Sequence, residues 1–339
     1  MAKRPPRQTA EDSATVAILP GLARIWSEVL DTRRPTPQQN FFEVGGNPTL
    51  AIRLCDQIRA ELQKVVPPLI LYSAPTLGEL SSALSGSNVR FSNAIVLKYG
   101  VGDPPLFLLH GLGGNISEFF ELVKCFESGQ TIYGLQARGT DGLEPPLDRI
   151  EAMAEYHIEA IRQAQPHGPY LLCGYSLGGL VALEIARQFL KTKEPVALLS
   201  MIDSYPHAKW LPLARRLPLY TRRLHRLSDR IFRPSAAHVL DANNSEALSE
   251  KVCGPAIRTL TRAAILAWKH YDPKPYPGRV RFIAAATPTF LPTDPTLTWK
   301  RVIRELVVET VPATHHNLLV NDAPLIASAL SRYVAEALV

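Results

Sequence analysis

Residues 170–180 read YLLCGYSLGGL. Tyr170–Cys173 is an apolar run of strand type, and from Leu180 to Leu190 the apolar positions take up helical spacing. Between the two stands Gly174-Tyr175-Ser176-Leu177-Gly178, the pattern G-x-S-x-G. Five residues alone are a weak signal. Set between a strand and a helix, they describe a sharp turn that lifts a serine hydroxyl above the edge of a sheet. Such a turn runs backbone against backbone, so small residues must flank the serine. Gly174, Gly178 and Gly179 meet that need, and Ser176 becomes the candidate nucleophile.

Working outward, short apolar runs occur at 94–98, 106–109 and 131–135 before this stretch, and at 196–202, 280–285 and 306–310 after it. Leu147–Ala164 has helical periodicity. Strands alternating with helices predict an α/β unit, a mostly parallel sheet covered on both faces. The stretch 205–275 interrupts the alternation. It reads as a helical insertion over the sheet edge, a lid.

A serine hydroxyl needs a base, and the base needs a carboxylate to orient it. In this architecture the chain order is serine, acid, histidine. Asp203 directly follows the run 196–202, where a carboxylate can reach the site, and the later run at 280–285 offers no acid before Asp294. His315 and His316 stand side by side after the last run. At most one of them is the base, and His315 is preferred. An oxyanion needs two N–H donors. Leu177, behind the serine, offers one. The Gly-rich stretch His110-Gly-Leu-Gly-Gly-Asn115 follows the run 106–109 and offers Leu112 as the other. That stretch lacks the Lys-Ser/Thr ending of a phosphate loop and the spacing of a dinucleotide fingerprint. His110 lies outside the triad order and is expected to pack beneath the loop.

Residues 1–14 are polar and rich in Pro and Arg, and read as a flexible tail. Leu22, Ile25, Trp26, Val29 and Leu30 then form one stripe of an amphipathic helix. A second helix is predicted from about Asn47 to Leu62, with Leu50, Leu54, Ile58 and Leu62 aligned. Asn47 suits the N-cap there and Pro48 the first helical position. Thr76-x-x-Glu79 is a capping box that opens a third helix. Residues 15–84 thus read as a small all-α domain, 85–93 as a linker and 94–339 as the α/β domain.

The α/β domain resembles a known family. The stretches PLFLLHGLGGN, IYGLQARGTDG, GPYLLCGYSLGGLVALEIA, LLSMIDS, AAILAWKHYDPKPYPGRVRFIAA and VPATHHNLL look like those of type I thioesterase domains. These domains end nonribosomal peptide and polyketide synthases and are α/β-hydrolases. The family carries its catalytic histidine after Val-Pro-Gly-x, so Val311-Pro312-Ala313-Thr314 points to His315, although Ala313 replaces the glycine. The helical domain resembles a peptidyl or acyl carrier protein in LARIWSEVL, FFEVGGN and PLILYSAPTLGELSSAL. Carrier domains have F-x-x-G-G-x-S, and that serine accepts phosphopantetheine. Here Pro48 holds the serine position and has no hydroxyl. Thr49 lies one step on, about 100° around the helix.

The resemblance implies a thioesterase that releases acyl or peptidyl chains from a carrier protein. Its own attachment site is degenerate at Pro48, so phosphopantetheine is expected only on a partner carrier of another polypeptide, and no bound cofactor or metal is expected. An esterase or acyltransferase acting on soluble esters or acyl-CoA is the alternative, and a non-catalytic docking module of a synthase is another.

Composition agrees with a folded enzyme: 46% of the 339 residues are hydrophobic and 20% charged. No apolar stretch approaches a membrane span, and no signal-peptide pattern follows the basic N-terminus. Cys55, Cys125, Cys173 and Cys253 form no CxxC pair. A cytoplasmic protein is expected, with no membrane partner. The net charge of +6 owes much to the run of basic residues between Lys209 and Arg233. That run reads as a solvated helical face or a docking surface for an acidic partner. No nucleic-acid-binding module accompanies it.

Overall fold

The computed structural model describes residues 19–46, 48–64, 66, 70–85, 93–140, 144–207, 258–287 and 294–339. The expected N-terminal tail, the Asn47 cap, most of the linker, the central part of the lid with its basic run, and Cys253 lie outside these residues. The chain divides into two compact units, Met1–Phe91 and Ser92–Val339.

The first unit is helical: α1 (Leu22–Leu30), α2 (Pro48–Leu62), the short α3 (Ile70–Ser73) and α4 (Leu77–Ser85). In α1 the five residues of the expected stripe are all buried. In α2, Ala51, Leu54, Cys55 and Ile58 are buried, a spacing of three and four that lays one face on the core. Pro48 opens α2, where its missing N–H costs no helical hydrogen bond. Trp26 and Phe41 meet edge to face at 5.7 Å, and Trp26 Nε1–H donates to Gln39 at 3.0 Å. The capping box forms reciprocally. Glu79 N–H donates to Thr76 Oγ1 at 3.2 Å, and Thr76 N–H to Glu79 Oε2 at 3.0 Å. Thr76→Ala therefore lowers stability by about 1 kcal/mol, while Thr76→Ser retains most of it. Urea denaturation of the two variants checks this, and equal losses in both would remove the cap as the cause.

The second unit is a seven-stranded sheet of β1 (Ala94–Lys98), β2 (Gly102–Leu109), β3 (Gln130–Leu135), β4 (Tyr170–Tyr175), β5 (Val196–Ile202), β6 (Tyr276–Thr287) and β7 (Ile303–Thr314). Their spatial order is β1-β3-β2-β4-β5-β6-β7. All neighbouring strands are parallel except β1, which runs antiparallel to β3. The helices are α5 (Phe120–Lys124), α6 (Ile150–Ala164), α7 (Leu177–Lys191), α8 (258–270), α9 (Pro295–Trp299) and α10 (Ala323–Ala337).

The strands bury both faces. Phe107, Leu109, Tyr170, Leu172, Leu199 and Met201 join α6, α7 and α8 in one core. Their neighbours in sequence, Leu106, Leu108, Leu171, Cys173, Leu198 and Ile202, join α5 and α10 in the other. Burial on both sides is why these strands appear as uninterrupted apolar runs rather than alternating ones. Because β2, β4, β5 and β7 are parallel, the loop 110–115, Ser176, Asp203 and His315 all emerge at the same sheet edge.

Candidate active site

Ser176 caps α7 with φ 53° and ψ −116°, a backbone conformation that side chains other than glycine rarely adopt. Close packing enforces the turn. A Cβ at Gly174 would lie 2.1 Å from Gly178 O, one at Gly178 would lie 2.1 Å from Leu109 O, and one at Gly179 would lie 2.0 Å from Ser204 Oγ. Ser176 N–H donates to Ile202 O at 2.9 Å, tying the turn to the strand that leads into Asp203.

Asp203 follows β5 directly, also at positive φ (45°). Its N–H donates to Ile283 O at 2.7 Å, and its Oδ1 accepts from Ala285 N–H at 3.1 Å, so β6 fixes both backbone and side chain. Beyond it, Trp299 Nε1–H donates to Ser204 O at 3.1 Å and Trp268 Nε1–H to Tyr205 O at 2.9 Å. These indoles hold the chain as it leaves the site.

His315 is the first residue after β7 and is only 8% exposed. Its Nδ1 lies 2.7 Å from Asp203 Oδ2, and its Nε2 lies 3.1 Å from Ser176 Oγ. The carboxylate accepts a proton-bearing Nδ1, so Nε2 presents its lone pair to the serine hydroxyl. Tyr175 backs this arrangement. Its ring stacks on His315 at 5.0 Å and its OH donates to His315 O at 2.8 Å. Sequence reasoning assigned Tyr175 no role, and its place beside the serine in G-x-S-x-G was the available signal. His316 lies with its ring at 84° to that of His315. Burial first, then the neighbouring His315, lower its pKa.

The loop after β2 is held from several sides. His110 is buried, which lowers its pKa. Its Nδ1–H donates to Gly111 O at 2.8 Å, and Gly114 N–H donates to the same oxygen at 3.3 Å. Gly111 N–H donates to the Glu118 carboxyl. Burial pushes that carboxyl up to about 8, against the lowering effect of the Gly111 hydrogen bond. Among the described residues neither Leu112 N–H nor Leu177 N–H has a hydrogen-bond acceptor. Among the same residues no cluster of His, Cys, Asp or Glu could hold a metal, and no helix is long and apolar enough to cross a membrane.

A family model described as thioesterase domain matches residues 104–332, and one described as phosphopantetheine attachment site matches residues 20–84. Malpibaldin synthetase of Mortierella alpina is 39% identical over 188 residues, which cover 54% of this chain and 3% of that protein. The dimodular nonribosomal peptide synthase of Bacillus subtilis (strain 168) is 37% identical over 194 residues, covering 57% of this chain and 8% of that one. The chain thus spans only a few per cent of the length of these relatives. Among solved structures, a four-domain nonribosomal peptide synthetase bound to AMP and glycine aligns over 98% of this chain and 27% of its own. The TM-score is 0.58 at 22% identity, a likeness of fold. The NocB thioesterase domain, in covalent complex with a fluorophosphonate nocardicin G analog, aligns over 69% of this chain and 96% of its own. Its TM-score is 0.50 at 25% identity.

Proposed function

Since the chain belongs to the thioesterase domain family, matched over about two thirds of its length, we propose that it is a serine hydrolase acting on carrier-protein thioesters. It releases acyl or peptidyl chains from a phosphopantetheine arm. The observation that carries this reading is the hydrogen-bonded run Ser176–His315–Asp203.

Ser176 Oγ attacks the thioester carbonyl carbon while its proton passes to His315 Nε2. Asp203 holds the imidazole in the required tautomer and stabilises the imidazolium. Leu112 and Leu177 N–H take the oxyanion, a role supported by their having no acceptor among the described residues. Collapse breaks the C–S bond, and the leaving thiolate takes the proton from His315. Water, or a nucleophile within the acyl chain, then gives its proton to His315 and attacks the Ser176 ester. The bond from Ser176 Oγ to the acyl carbon breaks, and His315 returns the proton to Ser176 Oγ. The products are a free acid or a ring.

The helical unit does not fit a loaded phosphopantetheine. Pro48 opens α2 at the serine position of the carrier motif and has no oxygen to bear the phosphodiester. We read the unit as a pseudo-carrier, so the acyl donor is a carrier protein on another polypeptide. A promiscuous phosphopantetheinyl transferase with CoA should leave the intact mass of the unaltered chain unchanged. Pro48→Ser should gain one phosphopantetheine. A gain on the unaltered chain, mapped to Thr49, would end the pseudo-carrier reading.

The activity itself is tested by fluorophosphonate labelling and by comparing kcat/KM on acyl-carrier thioesters, acyl-CoA and simple esters. Labelling with a strong preference for carrier thioesters is the expected outcome. Equal use of soluble esters or acyl-CoA would favour an esterase or acyltransferase, and absence of labelling would favour a docking module without catalysis.

A further inference from the structure

We propose that Glu118 is a positioning residue for the oxyanion site: by holding Gly111 N–H, its carboxyl fixes the peptide that offers Leu112 N–H to the reacting carbonyl oxygen. The inference rests on the hydrolase reading above, with Leu112 as a donor.

Three features lead to it. First, both polar groups of Gly111 are engaged. Its N–H donates to Glu118, and its C=O accepts from His110 Nδ1–H at 2.8 Å and from Gly114 N–H at 3.3 Å. In a trans peptide the C=O and the following N–H point in opposite directions. Fixing Gly111 C=O toward His110 and Gly114 therefore sends Leu112 N–H the other way, where it has no acceptor among the described residues. Glu118 completes the hold on the near side of the glycine, where φ and ψ would otherwise be free to turn.

Second, the carboxyl is itself held. Glu118 lies in a 3₁₀ turn, Ile116–Phe119, whose start is capped by Asn115 Oδ1 accepting from Ser117 N–H at 2.9 Å. Ile116 and Phe119, three apart and so on one side of such a turn, are fully buried. With those two anchored, Glu118 is presented on a different side of the turn. Third, the clamp touches the catalytic side chains through one residue. A Cβ at Gly111 would lie 3.2 Å from both Glu118 Oε2 and the Tyr175 ring, and Tyr175 donates to His315 O. The raised pKa of Glu118 is consistent with the role, because a neutral acid places no negative charge beside a developing oxyanion.

The test compares Glu118→Gln with Glu118→Met in the full chain. Both keep the length of the side chain; only glutamine keeps an oxygen to accept from Gly111 N–H. Turnover of an acyl N-acetylcysteamine thioester and inhibition by an alkyl trifluoromethyl ketone, whose serine adduct carries an oxyanion, are measured on each. Loss of a whole oxyanion donor costs about 10²–10³-fold in kcat, so a displaced donor should cost about 10- to 100-fold. Glu118→Met should show that loss in kcat with KM nearly unchanged, and should bind the ketone weaker by a similar factor. Glu118→Gln should stay close to the unaltered chain on both counts. A folded Glu118→Met chain with unchanged kcat and ketone affinity would overturn the assignment, as would a loss in Glu118→Gln equal to that in Glu118→Met. If Glu118→Met fails to fold, the glutamine variant alone decides, and a tenfold loss of kcat in it rejects the acceptor role. An unaltered chain that neither turns over the thioester nor binds the ketone instead overturns the hydrolase reading beneath it.

Discussion

Ser176→Ala should abolish turnover and leave the fold intact. Loss of such a nucleophile costs about 10⁶-fold in kcat, leaving only what the oxyanion donors and substrate binding supply. The structural cost is small for stated reasons. The backbone hydrogen bond from residue 176 to Ile202 O does not involve the side chain, and alanine at φ 53° is no more strained than serine. His315 Nε2 loses one donor, a change worth about 1 kcal/mol. The glycines at 174, 178 and 179, whose close approaches define the turn, are untouched. The measurement is kcat on an acyl-carrier thioester, together with fluorophosphonate labelling and a melting curve. A folded Ser176→Ala chain that still turns over substrate rejects Ser176 as the nucleophile.

The sheet was legible because its strands are buried on both faces, so runs such as Tyr170–Cys173 and Val196–Ile202 stand out as apolar. Their ends were not. In β6, Tyr276 and Arg279 pair with β7 across an irregularity, Pro277 and Arg279 are exposed, and nothing in Tyr-Pro-Gly-Arg announces a strand. Pro104 and Pro105 hid the start of β2. They sit in an irregularity of the β2–β3 pairing, between Gly102 and Leu106, and before pairing with β4 begins at Leu106, and there a missing N–H is tolerated. The helix after the turn begins at Leu177, three residues before its apolar periodicity becomes visible, because the glycines behind Ser176 carry no side-chain signal. Three of the seven residues that α10 buries are alanines, Ala323, Ala327 and Ala329, which mark its stripe less than large side chains would. Helix α5 is too short to show a period.

At the site, the residue types and their chain order pointed to Ser176, Asp203 and His315, which lie together in the structure. Tyr175 and Glu118 escaped because their contacts depend on tertiary neighbours. Tyr175 reaches a carbonyl 140 residues away, and Glu118 turns back on a glycine 7 residues earlier across a turn too short to read. Long-range hydrogen bonds of this kind leave no periodicity in the sequence.

The two adjacent histidines give the second large effect. In the proposed mechanism, replacing His315 removes the base for both acylation and deacylation, so a loss of about 10⁴- to 10⁶-fold is expected. Alanine would also leave the buried Asp203 carboxylate without its partner and open a space beside Tyr175, so lost activity could be confused with lost fold. His315→Asn separates the two. Its side-chain amide N–H can reach Asp203 from about the position of Nδ1, while no basic nitrogen faces Ser176. The asparagine variant should melt close to the unaltered chain and be inactive. His316→Ala should keep activity within about fivefold. Its pKa is lowered by burial and by His315, so it is neutral near pH 7, and its removal changes no charge beside the triad. The measurement is kcat and melting temperature for both variants on the same thioester. If His316→Ala is the dead enzyme and His315→Asn the active one, the base lies one residue further along the loop, and the hydrogen bond from His315 Nε2 to Ser176 is not the catalytic one.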